Sequence, residues 1–417
     1  MGKGFNAGRR ALARQLAAAG VLAVVPSSLW AISPKRYDHP WIPDDEFLAD
    51  LPALMGAFGV PGVGIAVLEG GKVAWTRSIG IADTASGRPV HEGSRFECAS
   101  LSKPVFACLV LQLVDAGQIE LDAPLFRYLR PDYLASDDPR LARITVRDVL
   151  RHTSGLPNWR EHPESTPLRT IAEPGKEIRY SGEAFFWLQL AVESVCDQSL
   201  DRLAQRLLFT PAGMQRSTYT WNADAARDSV VGVAAPGETP PVQTFREQWA
   251  ILQKIADAEG KPIADWRWAD AVRLLPRAVA LSDSAHFVWP GDLIANAAAS
   301  LRGPVSDYAR FLDFAMRDSE HGGALRPATR AAMFSPQFPV RAGLIDKGLG
   351  WNLELIGEGQ RWCWHGGANA GRYKTFAIGD PLHRRGIVVM TNGGGGTPVY
   401  QRILRNAVGR DMLAFDM

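Results

Sequence analysis

The chain has 417 residues, of which 46% are hydrophobic and 22% charged, with a formal net charge of +2. A chain of this length and apolar content can bury a large core, and its interspersed charges leave no basic footprint for nucleic acid. The four cysteines (Cys98, Cys108, Cys196, Cys363) show neither C-x-x-C spacing nor a histidine pattern beside them; they argue against a zinc site or a disulfide framework and read as small buried hydrophobes. No metal and no cofactor is therefore expected, and the partner is a small molecule.

In chain order, Arg9-Arg10 and Arg14 precede an apolar run from Leu16 to Val25. The run is too short to span a bilayer and suits the h-region of a signal peptide. Gly8-Arg9-Arg10-Ala11-Leu12 looks like a twin-arginine signal. Residues 1–31 are thus expected to direct export to the periplasm or the medium, with no integral membrane span in 32–417. The other reading is a free amphipathic helix on a cytoplasmic protein. From Phe47 to Phe58, apolar residues at helical spacing predict an opening helix. Val63 to Leu68, the turn Gly70-Gly71 and Val73 to Thr76 predict a hairpin.

Next comes Phe96-Glu97-Cys98-Ala99-Ser100-Leu101-Ser102-Lys103-Pro104, running into the apolar segment Val105 to Val114. A serine and a lysine three apart at the start of a helix share one face, so Lys103 can reach Ser100. Pro104 belongs in a first helical turn, where its missing N–H is not needed. Ser100 then sits at a helix N-terminus, whose partial positive charge favours an oxyanion. The alternative for Ser100 is a plain N-cap.

The middle of the chain reads as helical, including a second apolar helix from Glu183 to Val195, and 236–296 reads as an insertion with weak periodicity lying over a cleft. Short strands return from Gly350 to Met390, and Val399 to Val408 closes the chain as a helix. The predicted fold class is α/β: an antiparallel sheet flanked by helices and built from both chain ends, about 47–98 and 345–417. A mostly helical lobe, about 99–344, is inserted between them.

Ala99-Ser100-Leu101-Ser102-Lys103-Pro104, His152-Thr153-Ser154-Gly155-Leu156, Tyr180-Ser181-Gly182 and Trp364-His365-Gly366-Gly367 occur in the order and context of a known family. Over most of residues 50–410 the chain resembles the serine β-lactamase and penicillin-binding protein superfamily, specifically the class C β-lactamase-like hydrolases and esterases. The resemblance implies a β-lactamase/transpeptidase-like fold and an acyl-enzyme on Ser100. Lys103 and Tyr180 would exchange its proton, with the Tyr180 pKa lowered by the lysine cation. Backbone N–H groups of Ser100 and Ala368 would form the oxyanion hole. His365, Gly366, Gly367, Ser181 and Gly182 would contact substrate, and His152 would belong to a structural turn.

Two positions depart from the pattern. The family's second motif usually ends in asparagine where this chain has Gly182, so that contact is lost or supplied from elsewhere. The third motif's lysine and hydroxyl are replaced in His365-Gly366-Gly367, leaving a weaker, pH-dependent charge. The expectation is an esterase or an amide or peptide hydrolase for small substrates. The alternatives are a weak β-lactamase or DD-peptidase, and a non-hydrolytic ligand-binding or scaffold protein.

Overall fold

A computed structural model describes residues 39–163, 165–233, 241–282 and 293–416. The expected signal peptide lies outside them. The chain divides at Pro40 into two units, and the second, Trp41–Met417, contains the sheet and its flanking helices.

Helix α1 (Asp45–Ala57) begins where the Asp44 carboxylate accepts the Phe47 N–H at 2.7 Å, an N-cap. Strands β1 (Gly62–Glu69) and β2 (Lys72–Asp83) form the predicted hairpin. Its turn residues Gly70 and Gly71 take φ of 54° and 81°, values that disfavour a side chain. After β3 (Arg88–Pro89) and the short β4 (Phe96–Glu97) come α2 (Ser102–Asp115) and α3 (Gly182–Cys196). Then follow α4 (Pro241–Glu259), α5 (Trp268–Ala280), β5 (Arg302–Gly303) and α6 (Val305–Met316). Strands β6 (Phe338–Arg341), β7 (Ile345–Lys347), β8 (Asn352–Gly357), β9 (Gln360–Asn369), β10 (Tyr373–Asp380) and β11 (Arg385–Thr391) lead to α7 (Gly396–Val408).

Nine strands make one sheet in the order β3-β2-β1-β11-β10-β9-β8-β7-β6, and β4 pairs with β5 separately. The chain ends meet where β11 runs antiparallel to β1, with Val63 opposite Thr391. Both faces of the sheet are covered, so β1 reads as one apolar run. Val63, Ile65 and Val67 enter a cluster with Leu51 of α1 and Val399 of α7, while Ala66 and Leu68 enter the larger cluster around α2. Helix α2 is buried from Ser102 through Leu111. Its start is pinned by two buried tyrosines: Tyr308 donates to the Leu101 carbonyl and Tyr219 to the Ser102 carbonyl, each at 3.0 Å.

Three features differ from the sequence-based expectation. Helix α6 lies on the sheet, because glycines leave room for it: a Cβ at Gly64 would come 3.0 Å from Val305, and one at Gly386 would come 3.0 Å from Leu312. The sheet also resumes at Phe338, earlier than 345. Within 236–296, the described part folds into α4 and α5, whose Leu252, Ile255, Trp268, Ala271, Leu274 and Ala278 join Trp266 and, from outside the segment, Phe186 and Trp221 in one cluster. The periodicity is present there, interrupted to the eye by Pro276 inside α5.

Candidate active site

Ser100 occupies a 3-10 turn, Ala99–Leu101, that feeds directly into α2. Ala99 has φ of 50°, a region that costs a residue with a side chain on the order of 1 kcal/mol or more. Surrounding bonds hold it there. Ser102 Oγ donates to the Ala99 carbonyl at 2.6 Å, Thr375 Oγ1 donates to the Cys98 carbonyl at 2.9 Å, and the Cys98 N–H reaches the Leu301 carbonyl at 2.8 Å. Strand β9 passes immediately beside the turn: a Cβ on Gly367 would stand 3.0 Å from the Ser100 nitrogen and 2.3 Å from Thr375 Oγ1. Only glycine fits at 367. At Gly366 the nearest atom would be 3.5 Å away, an ordinary contact, so the two glycines are not equivalent.

Lys103 is buried with its Nζ 3.2 Å from Ser100 Oγ and 2.9 Å from the carbonyl of Ala298. Burial, and then the charge of Lys347, lower its pKa to about 7. A buried amine at that pKa is available as a proton acceptor near neutrality. The Ala298 carbonyl is a partner that the sequence did not disclose. Its turn is held by Asn296 Oδ1, which accepts the Ala298 N–H at 2.9 Å, and by Gln189 Oε1, which accepts the Ala297 N–H at 2.7 Å. The lysine thus gains from a backbone carbonyl the contact that an asparagine at 182 would make.

Tyr180 is hydrogen-bonded to the Ser100 side chain. Its ring stacks on His152 at 4.3 Å, and Lys103 Nζ lies 4.7 Å from the ring centroid. Although 37% of the residue's surface is open, its hydroxyl end is packed inward, and that burial pushes the phenol pKa up. The expected lowering is corrected: burial dominates and outweighs the opposing hydrogen bond from Ser100. His152, with φ of 60°, accepts the Ser181 N–H on Nδ1 at 3.2 Å and so fixes the backbone beside Tyr180.

The remaining motif residues fall into different places than expected. Ser181 Oγ donates to the Pro157 carbonyl at 2.7 Å and accepts the Ala184 N–H at 3.0 Å, which makes it the buried N-cap of α3 rather than a substrate contact. Gly182 is glycine because Trp159 fills the adjacent space: a Cβ there would meet the indole at 2.2 Å. The Gly182 N–H is taken by Asn158 Oδ1 at 2.9 Å. His365 is buried with Nδ1 2.7 Å from the Gly366 carbonyl, so that nitrogen carries the proton. Burial, then Lys103 and Lys347, lower its pKa to about 3. The pH-dependent charge expected at this position is absent near neutrality, and the imidazole is a neutral neighbour whose ring centroid lies 6.3 Å from that of Tyr180.

Sequence reasoning missed Lys347. It is buried at the end of β7, with Nζ 2.5 Å from Asn352 Oδ1 and no carboxylate partner among the described residues. Burial lowers its pKa to about 8, so it carries a charge at neutral pH that acts on Lys103, His152 and His365. In Asp346-Lys347-Gly348 it looks like part of an ordinary charged turn, and no local signal distinguishes it. Among the described residues no group of His, Cys, Asp and Glu could hold a metal ion.

The family described as Beta-lactamase matches residues 49–409. Esterase EstB from Burkholderia gladioli is 40% identical over 96 residues, covering 22% of this chain and 24% of the esterase. Penicillin-binding protein 4* from Bacillus subtilis (strain 168) is 25% identical over 358 residues, covering 81% of this chain and 70% of that protein. A solved class C beta-lactamase superposes with a TM-score of 0.62 at 18% identity over 86% of this chain and 95% of that one, a likeness of fold.

Proposed function

The chain belongs to the Beta-lactamase family, and on that premise we propose that it is a serine hydrolase that forms an acyl-enzyme on Ser100 with small esters. The observation that carries this is the buried Lys103 amine, 3.2 Å from Ser100 Oγ and with its pKa lowered to about 7. Neutral Lys103 takes the hydroxyl proton as Ser100 Oγ attacks the carbonyl carbon. The oxyanion is received by the N–H groups of Ser100 and Ala368. When the tetrahedral adduct collapses, the bond to the leaving oxygen breaks. Tyr180, which keeps its proton, passes it to that oxygen and is reprotonated from the Lys103 ammonium. Water then attacks the acyl carbon while Lys103 accepts its proton, and as the bond to Ser100 Oγ breaks the Lys103 ammonium returns that proton to the serine oxygen.

Esters are favoured over penicillins because His365 is neutral where penicillin-recognising relatives carry a lysine, so no cation at that position meets a substrate carboxylate. The match to an esterase supports the same choice. Short-chain p-nitrophenyl esters should be hydrolysed, Ser100→Ala should abolish turnover, and an active-site phosphonate should add to Ser100. A variant as active as the parent would sink the assignment. Stable acylation of Ser100 by penicillin, seen by intact mass, would favour the penicillin-binding alternative, and no phosphonate adduct would favour the binding or scaffold alternative.

In this reading, residues 1–31 serve as an export signal and the enzyme acts in the periplasm or medium. The support is the arginine-led apolar run from Leu16 to Val25. Fractionation of expressing cells tests it. No helix among the described residues is long and apolar enough to cross a membrane.

A further inference from the structure

A cavity of about 390 Å³ is lined by residues that adjoin the candidate site in the chain. Its lining includes direct chain neighbours of the site: Ala299 follows the carbonyl that holds Lys103, Asn369 follows Ala368, and Glu97 precedes the turn carrying Ser100. Trp159, the indole packed against Gly182, forms another part of the wall. Ser100, Lys103, Tyr180 and His365 do not themselves line it. The space therefore borders the site along the Asn296–Ala299 turn and the end of β9.

Five of the fourteen lining residues are aromatic. Phe186 meets Trp268 edge to face with centroids 4.6 Å apart, and Phe245 packs against Trp221 at 5.8 Å. Phe245 comes from α4 and Trp268 from α5, so the inserted helices supply two of the five aromatic lining residues. Trp268 is held in place through its own N–H, which Glu193 accepts at 2.9 Å. The volume is more than twice the roughly 150 Å³ that takes up a benzene ring, and it falls in the range of small-molecule sites.

The acidic groups of the lining are already matched. Arg160 and Glu183 pair at 2.8 Å, both nearly buried. Glu97 accepts from Arg302 at 3.1 Å and from Asn369 at 2.9 Å. A ligand that added a carboxylate or an ammonium there would disturb closed pairs rather than complete open ones. Asn296 is different: its Oδ1 is taken by the Ala298 N–H, which leaves the amide Nδ2 to donate to a neutral acceptor.

Resting on the hydrolase assignment, we infer that this cavity is the acyl pocket and that it selects esters of uncharged aromatic carboxylic acids, of about phenylacetyl size. The test holds the leaving group constant and varies the acyl group. The kcat/KM for p-nitrophenyl phenylacetate, acetate and monosuccinate is measured with the whole enzyme. The phenylacetate is expected to exceed the acetate by about tenfold, the lower range for filling an apolar pocket. That ratio should fall toward one in Phe245→Leu and in Trp159→Ala, the second chosen because Trp159 is 45% exposed and its loss spares the core.

A ratio near one in the parent, or one unchanged in both variants, overturns the pocket assignment while acetate turnover leaves the hydrolase assignment standing. Absence of turnover on every ester together with no phosphonate adduct overturns the hydrolase assignment itself. A preference for the monosuccinate that vanishes in Arg372→Ala, Arg372 being the other cation of the lining, would overturn the uncharged class. Discrimination that follows the alcohol instead, among acetates of benzyl alcohol and ethanol, would overturn the acyl side.

Discussion

Lys103 and Lys347 are two buried lysines, neither paired with a carboxylate among the described residues, and they differ in what their ammonium groups face. Lys103 points at a serine oxygen and a backbone carbonyl. Lys347, at the corner of β7 and β8, points at a single asparagine oxygen. The pKa of Lys103 falls further, to about 7 against about 8, because it also feels the charge of Lys347. In the proposed mechanism Lys103 is the base, and the charge of Lys347 favours its uncharged form.

Substitution separates the two roles. The largest effect should come from Lys103→Ala, which removes the base and should lower kcat/KM by roughly 10²–10⁴-fold, whereas Lys347→Met should retain most of the turnover measured at its optimum pH. Equal losses would mean that the two lysines do not divide their roles in this way. A smaller effect concerns pH. The parent's kcat/KM should rise with pH through an acidic limb near about 7. In Lys347→Met the limb should move to higher pH, since removing a positive neighbour favours the protonated form of Lys103. A limb that stays put would show that the charge of Lys347 does not reach the base.

The smallest effect is on stability. An unpaired buried cation is costly, and replacing it by an apolar side chain of similar length should stabilise the fold by roughly 1 kcal/mol or more at neutral pH. The folded pKa of Lys347 is about 8 and the ordinary value 10.5. Below the folded value the lysine is charged in both states, and the penalty is complete. Between the two, the unfolded chain binds more protons, so stability rises with pH. The difference in thermal midpoint between Lys347→Met and the parent should therefore shrink from pH 8 to pH 10.5. A constant difference would place its origin in packing rather than in charge.

The legible parts of the site were those set by local geometry. Ser100 and Lys103 share a helix face by their spacing, and Pro104 marks the first turn of α2. The two-residue glycine turn announced the β1–β2 hairpin. The family likeness then connected Tyr180 and the β9 strand to the serine, across distances at which spacing carries no information. Gly182 was visible only as a departure, because its cause, Trp159, sits in a loop that meets it through the fold. Ser181 looked like part of a binding motif and is a helix cap.

From the sequence alone came the hairpin, the buried helix that follows Ser100, the antiparallel sheet contributed by both chain ends, and the adjacency of Ser100 and Lys103. These depend on hydrophobic period, turn chemistry and residues within a few positions of one another. Tertiary packing settled which groups carry charge. Whether Tyr180 gains or loses acidity, whether His365 is protonated, and how far the Lys103 pKa falls all depend on desolvation and on charges brought from distant strands. Those quantities belong to the packed interior and have no counterpart in the extended chain.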